Sequence, residues 1–171
     1  MASAHSNSHP SVHTKSVFGW INPATITSHH AGNANYSLHA VSLPHPPPPD
    51  RASAVRINSR HNNHYFIVEA RKMTDQYERV DAQGDGIGRE GAIVYEVENT
   101  NNVFLRTTIA LRVGQSCSNV DEGFKVEVLQ DIVGGYQVRI TRSQTNTCPQ
   151  LLSRIQALQT QYDHTTDNDL R

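Results

Sequence analysis

His64-Tyr-Phe-Ile-Val-Glu-Ala-Arg-Lys72, Gly84-Asp-Gly-Ile-Gly-Arg-Glu-Gly91 and Ala92-Ile-Val-Tyr-Glu-Val-Glu-Asn99 follow one another in the middle of the chain. The first segment is an apolar strand carrying two charges, the second a glycine-rich turn, the third an alternating strand. Together they read as a β-hairpin. Successive side chains of a strand point to opposite faces, so Glu69 and Arg71 emerge on the same face of the first strand. In the second strand Ala92, Val94 and Glu96 share one face, and Ile93, Tyr95 and Val97 the other. A polar cluster on a mostly buried hairpin predicts a structural ion pair. Pairing of Glu69 with Arg71 or another base is therefore expected in preference to an acid/base pair among Glu69, Glu96 and Glu98.

The same patterning continues on both sides of the hairpin. Thr25-Ile26-Thr27 and Tyr36-Ser37-Leu38 predict short strands joined by a polar turn, and Ala54–Asn58 starts another. Val103, Leu105, Ile109, Leu111 and Val113 keep period two, with Thr107 filling the gap, which predicts a half-buried strand or a pair of them. Phe124, Val126 and Val128 alternate, as do Tyr136, Val138 and Ile140, and Val133-Gly134-Gly135 between them suits a tight hairpin over 123–142. Pro44 to Asp50 (PHPPPPD) reads as a rigid polyproline II loop between strands. After Pro149 the period changes. Leu151, Ile155, Leu158 and Tyr162 make one apolar stripe on a short helix over 149–163, followed by a polar tail over 164–171. Residues 1–16 are Ser, His, Asn and Pro with little to bury, and read as loop or disordered. Val17-Phe18-Gly19-Trp20-Ile21 is the first apolar cluster and contains the only tryptophan. The predicted fold is mostly β: a small sandwich-like unit over 17–100, a second hairpin unit over 101–145, and the C-terminal helix.

Composition narrows the function classes. A chain of 171 residues has room for one sizeable core or two small β modules. Fifteen Lys and Arg stand against sixteen Asp and Glu, and no basic run occurs, so an electrostatic footprint for nucleic acid is missing. No apolar run is long enough for a membrane-spanning helix, and no apolar signal-peptide core follows Met1. Asn35-Tyr36-Ser37 forms one glycosylation sequon. Cys117 and Cys148 are the only cysteines and neither lies in a CxxC. Two readings stand for them. One is a disulfide closing a loop of about 31 residues, worth ~3–4 kcal/mol in the chain-entropy model; the other is two unrelated small core residues.

The motifs that would carry chemistry lack their structural context. His5, His9 and His13 are spaced four apart, but Pro10 sits inside the run and argues against a helix that would stack them. Asp81-Ala-Gln-Gly-Asp85-Gly86 opens like a calcium loop, yet Ala92 stands where a bidentate Glu is required, so a polar turn is favoured. Gly86-Ile-Gly88-Arg-Glu-Gly91 satisfies GxGxxG, but a strand and not a helix follows it, which removes the dinucleotide reading. There is no HExxH and no GxSxG. No metal, cofactor or catalytic residue is assigned in this chain.

Four landmarks in order resemble one family: His13-Thr14-Lys15 leading to Phe18-Gly19-Trp20-Ile21; Tyr36-Ser37-Leu38; Tyr65-Phe66-Ile67-Val68-Glu69-Ala70-Arg71; and Gly88-Arg89-Glu90-Gly91-Ala92-Ile93-Val94-Tyr95-Glu96-Val97. Gly123-Phe-Lys-Val-Glu-Val-Leu129 and Gly135-Tyr-Gln-Val-Arg-Ile-Thr141 extend the likeness. The chain resembles the region downstream of the zinc catalytic domain in M6-type (immune inhibitor A-like) and gametolysin-like secreted metallopeptidases, over roughly residues 12–142. Ala70 replaces the family's aromatic between Glu69 and Arg71, and Phe18 stands where the family has Leu. The resemblance implies a non-catalytic accessory region, extracellular, that packs on an upstream catalytic domain or holds protein substrate. Zinc and proteolysis belong to that upstream segment. Trp20 would anchor the junction, and Glu69, Arg71 and Glu96 would organise the sheet. The alternative is a stand-alone β-sandwich module that binds carbohydrate or protein. An accessory region is expected to expose an apolar patch near Val17–Ile21.

Overall fold

A computed structural model describes residues 10–44, 46–60, 64–74, 89–98, 102–107 and 110–143. The central hairpin forms as the alternation requires. Strands β4 (His64–Arg71) and β5 (Gly91–Glu98) pair antiparallel, from His64 opposite Glu98 to Arg71 opposite Gly91. Strand β3 (Ala54–Asn58) adds antiparallel to β4, and β1 (Ile26–His29) adds parallel to β3. Strand β6 (Asn102–Leu105) completes a five-stranded sheet in the order β1-β3-β4-β5-β6. The second sheet has four strands, in the order β2 (Gly32–His39), β9 (Gly135–Arg142), β8 (Phe124–Ile132) and β7 (Ser116–Asn119). The molecule is mostly β and sandwich-like.

The core between the sheets is built from the inward sets that the period-two pattern predicts. Val55, Ile57, Phe66, Val68, Ala70, Ala92 and Val94 of the first sheet meet Leu38, Phe124, Val126, Val128, Val138 and Ile140 of the second. Phe66 and Phe124 pack edge to face with centroids 4.9 Å apart. Each large apolar side chain fully buried in this way contributes roughly 1.5–3 kcal/mol. A second, smaller core lies on the outer face of the first sheet. There Ala54, Ile67, Ile93, Tyr95 and Val97 are covered by Val12, Ile21, Val41 and Ala110. Strands β4 and β5 are thus buried on both faces over most of their length.

Two expectations need correction, and a third is resolved between its alternatives. The division into units 17–100 and 101–145 does not divide the packing. Strand β2 pairs along its whole length with β9, from Gly32 opposite Arg142 to His39 opposite Gly135, because both carry matching inward apolar sets (Ala34, Tyr36, Leu38 against Ile140, Val138, Tyr136). The stretch around residue 13, read as loop, holds a helix, α1 (Val12–Val17). Pro10 precedes this helix and does not interrupt it. Ser11 is its N-cap and accepts from the Thr14 amide through Oγ at 3.2 Å. Of the two alternatives for the 103–113 segment, one strand or a pair of them, the structure has two separate pairings with β5. The segment leaves the sheet after Leu105, where the Arg106 and Thr107 amides both donate to the Val94 carbonyl. It regains β5 at Leu111, which exchanges two backbone hydrogen bonds with Ala92. The interruption exposes Val103, Phe104 and Val113 and buries Ala110 and Leu111.

The hairpin over 123–142 forms as predicted, turning at Gly134, whose φ of 75° is cheap only for glycine. The expectations for residues 1–9, for the 81–88 part of the glycine-rich loop, for Cys148, for the 149–163 helix and for the 164–171 tail lie outside the described residues.

Candidate functional site

Glu69 and Arg71 leave β4 on its outer face, as their spacing requires, and lie in the smaller core with the Glu69 side chain fully buried. Arg71 grips one carboxylate oxygen, Nε at 2.7 Å and Nη2 at 2.6 Å from Oε1. The other oxygen, Oε2, accepts from the Tyr95 hydroxyl at 2.9 Å and from the Val12 amide at 2.7 Å. A buried carboxylate is tolerable only when its charge is paired and its lone pairs are used, and here both conditions hold. Burial, reinforced by the neighbouring Glu69 charge, pushes the Tyr95 hydroxyl well above its ordinary value, so it stays a donor. That hydroxyl also accepts from the His13 amide at 3.1 Å, and His13 Nδ1 lies 2.9 Å from the Tyr65 hydroxyl.

This network does for α1 what tertiary packing must do for any helix too short to stand alone. Two amides of its first turn, those of Val12 and His13, find buried acceptors. Val12 is fully buried, and at the other end Lys15 Nζ donates to the Val41 carbonyl at 2.6 Å. The helix then stops in a Schellman motif: Trp20 N–H donates to Lys15 O and Gly19 N–H to Ser16 O, with Gly19 at φ 70°.

The chain reversal at Gly19 sorts the apolar cluster that follows. Ile21 turns inward and is 5% exposed. Val17, Phe18 and Trp20 turn outward and are 65%, 64% and 62% exposed. Trp20 is therefore part of neither core; its ring stacks on Phe18, with centroids 5.3 Å apart and planes 25° from parallel. The result is an exposed aromatic pair on a support whose other side is locked to a buried ion pair.

Glu96 belongs elsewhere. It lies on the opposite face of the first sheet from Glu69, beside His64 and Arg106. His64 Nδ1 is 2.9 Å from Glu96 Oε1, His64 Nε2 is 3.4 Å from Glu98 Oε1, and Arg106 pairs with Glu96 Oε2. The structure thus brings Glu69 and Arg71 together and separates both from Glu96. The sequence reading missed Tyr95, Val12 and His13 as members of the Glu69 network. The visible signal was the unbroken apolar run Phe66-Ile67-Val68, which marks a strand buried on both faces and so demands a cover for the outer one.

Among the described residues, no three His, Cys, Asp or Glu side chains converge to hold a metal ion, and Cys117 is a half-buried free thiol. No helix among those residues is long and apolar enough to cross a membrane. Comparison of the chain with protein-family models, with curated proteins and with solved structures gave no match.

Proposed function

We propose that this chain is the non-catalytic, β-rich region that follows the zinc catalytic domain of an M6-type or gametolysin-like metallopeptidase, and that Val17, Phe18 and Trp20 are its contact with that domain. The observation that carries this reading is the exposed stacked pair of Phe18 and Trp20 beside Val17, all more than 60% exposed. Large aromatic side chains on a rigid support are the usual anchors of protein interfaces, and water contact over all three is costly unless something covers them. The ordered landmarks from His13 to Val97 supply the family. Zinc and the catalytic groups belong to the upstream domain; the role of this region is to pack on it or to hold protein substrate. An extracellular setting is consistent with the sequon, because Asn35 is exposed on β2, an edge strand of the four-stranded sheet.

Reading the transcript upstream of Met1 tests this directly. An in-frame HExxH is expected there, and the chain by itself should bind an apolar dye and associate as its concentration rises. Paired F18S and W20S substitutions should abolish both properties. A stop codon followed by a genuine start at Met1 would overturn the proposal.

A second reading, a stand-alone binding module, is favoured by one surface. On the outer face of the second sheet Asn33, Asn35 and Ser37 stand opposite Thr141, Arg139 and Gln137. Such a row of amides, hydroxyls and a guanidinium suits hydrogen bonding to carbohydrate. Saturable oligosaccharide binding that N33A and R139A weaken would support this reading over the first.

A further inference from the structure

A cavity of about 630 Å³ opens where β4 runs out and β5 begins, well apart in sequence from the 17–20 surface. Arg89 and Arg112 are the cations at its walls and Glu90 and Asp131 the carboxylates, but Lys72, which does not line the cavity, pairs with both carboxylates. Both carboxylates are already engaged. Lys72 Nζ lies 2.7 Å from Asp131 Oδ2 and 3.4 Å from Glu90 Oε2, while Glu90 Oε1 accepts from the Met73 amide at 2.9 Å. Lys72 is held in place by the Tyr136 hydroxyl at 3.1 Å and lies over the Tyr136 ring. Burial works against its charge, but the bonds to Asp131 and Tyr136 and the Glu90 charge outweigh it and raise its pKa above the usual lysine range, so this cation stays charged and committed.

The two arginines are different. Among the described residues Arg89 bonds to neutral oxygens alone, through Nε to the Ala110 carbonyl at 2.7 Å and through Nη2 to Gln115 Oε1 at 3.0 Å. A guanidinium has five N–H donors, so three of Arg89's remain without a partner among the described residues. Gln115 Oε1 also accepts from the Arg112 amide at 2.9 Å, which holds the Arg89 guanidinium beside the Arg112 backbone. The Arg112 side chain is exposed and has no partner among the described residues. Met73 and the half-exposed Val113 supply apolar wall next to these charges.

We infer that this cavity binds the carboxylate of a peptide between Arg89 and Arg112, with the adjoining apolar side chain on Met73 and Val113. A pre-oriented guanidinium with spare donors takes a carboxylate through two parallel charge-assisted hydrogen bonds, the strongest such pairing available to a side chain. The inference uses no residue of the 17–20 surface and stands whether or not that surface docks on a catalytic domain.

Fluorescence anisotropy on the full chain tests it with three labelled hexapeptides. One carries a leucine-flanked glutamate and an amidated C-terminus; the second has no acidic side chain but a free C-terminus; the third is the first with glutamine for glutamate. At least one of the first two should bind saturably, and which one does identifies the source of the carboxylate. The glutamine peptide, lacking any carboxylate, should bind about tenfold or more weakly. R112Q alone, which removes no side-chain hydrogen bond or ion pair among the described residues, should weaken binding, and R89Q combined with R112Q should weaken it further. Binding should also fall as salt rises. Equal binding of the glutamine peptide, unchanged affinity in R112Q and in the double variant, or no saturable binding of either carboxylate peptide would overturn the inference.

Discussion

At the scale of single residues, Glu69 is the group whose removal is felt most. Its four contacts tie a strand, an arginine, a tyrosine and a helix N-terminus to one carboxylate. E69A removes the carboxylate that two nitrogens of the buried Arg71 grip, and R71A leaves the buried Glu69 carboxylate without that guanidinium. Each is expected to lower stability by about 3–5 kcal/mol, measured by urea unfolding. Combining the two should cost far less than the sum, because both single changes break the same buried contact and E69A removes the carboxylate that R71A would strand. Additive losses would show that the pair is not coupled. His29 gives a pH dependence. Its ring is buried against Tyr36, with Nδ1 2.9 Å from the hydroxyl, and Nε2 has no partner among the described residues. Burial first, then the positive charges of Arg142 and His30, lowers its pKa from the ordinary 6.5. The unfolded chain therefore takes up this proton at a higher pH than the folded one. The contribution of neutral His29 is complete above about pH 6.5 and is lost as pH falls below that value. Unfolding midpoints measured from pH 7.5 downward should decline more steeply in the native chain than in H29Q; equal slopes would refute this.

At the scale of elements, α1 shows how a helix can be specified from outside itself. Six residues without an acidic first turn are a poor helix by intrinsic preference, and the period-3.6 signal is too short to read. What was legible was a polar, histidine-rich composition that pointed the other way. The exposed end of this element should tolerate change. F18S and W20S are each expected to alter stability by no more than about 0.5 kcal/mol, whereas I21A should cost about 2–5 kcal/mol, and the contrast is read from denaturation of the three variants. The start of β5 carries the opposite constraint. A methyl group on Gly91 would overlap the Leu111 carbonyl, whose bond to the Ala92 amide returns the 103–113 segment to the sheet. G91A is expected to destabilise by roughly 1–3 kcal/mol, with the Ala92 and Leu111 amides losing hydrogen-exchange protection first. Retained protection at both positions would remove this account of the glycine.

At the scale of the whole molecule, the two sheets draw on the chain alternately: β1 and β3 to β6 build one, β2 and β7 to β9 the other. No cut at residue 100 leaves either part with a complete core. The described sandwich should therefore unfold in one calorimetric transition, where separate 17–100 and 101–145 units would give two. The sequence by itself determined the strands and their faces. Period two placed Glu69 and Arg71 on one face of β4 and set Ala92, Val94 and Glu96 against Ile93, Tyr95 and Val97 in β5, and Gly134 marked the tight turn, because these are local consequences of backbone geometry. Only the tertiary structure decided the rest. That β2 finds β9 about a hundred residues away, that the outer face of β4 is roofed by α1, that Ile21 is buried while Trp20 is not, and that Glu96 stands apart from Glu69 all depend on which surfaces meet. A strand's pattern states which face must be covered; what covers it is chosen by long-range packing, where burial of apolar area and pairing of buried charge outweigh local preference.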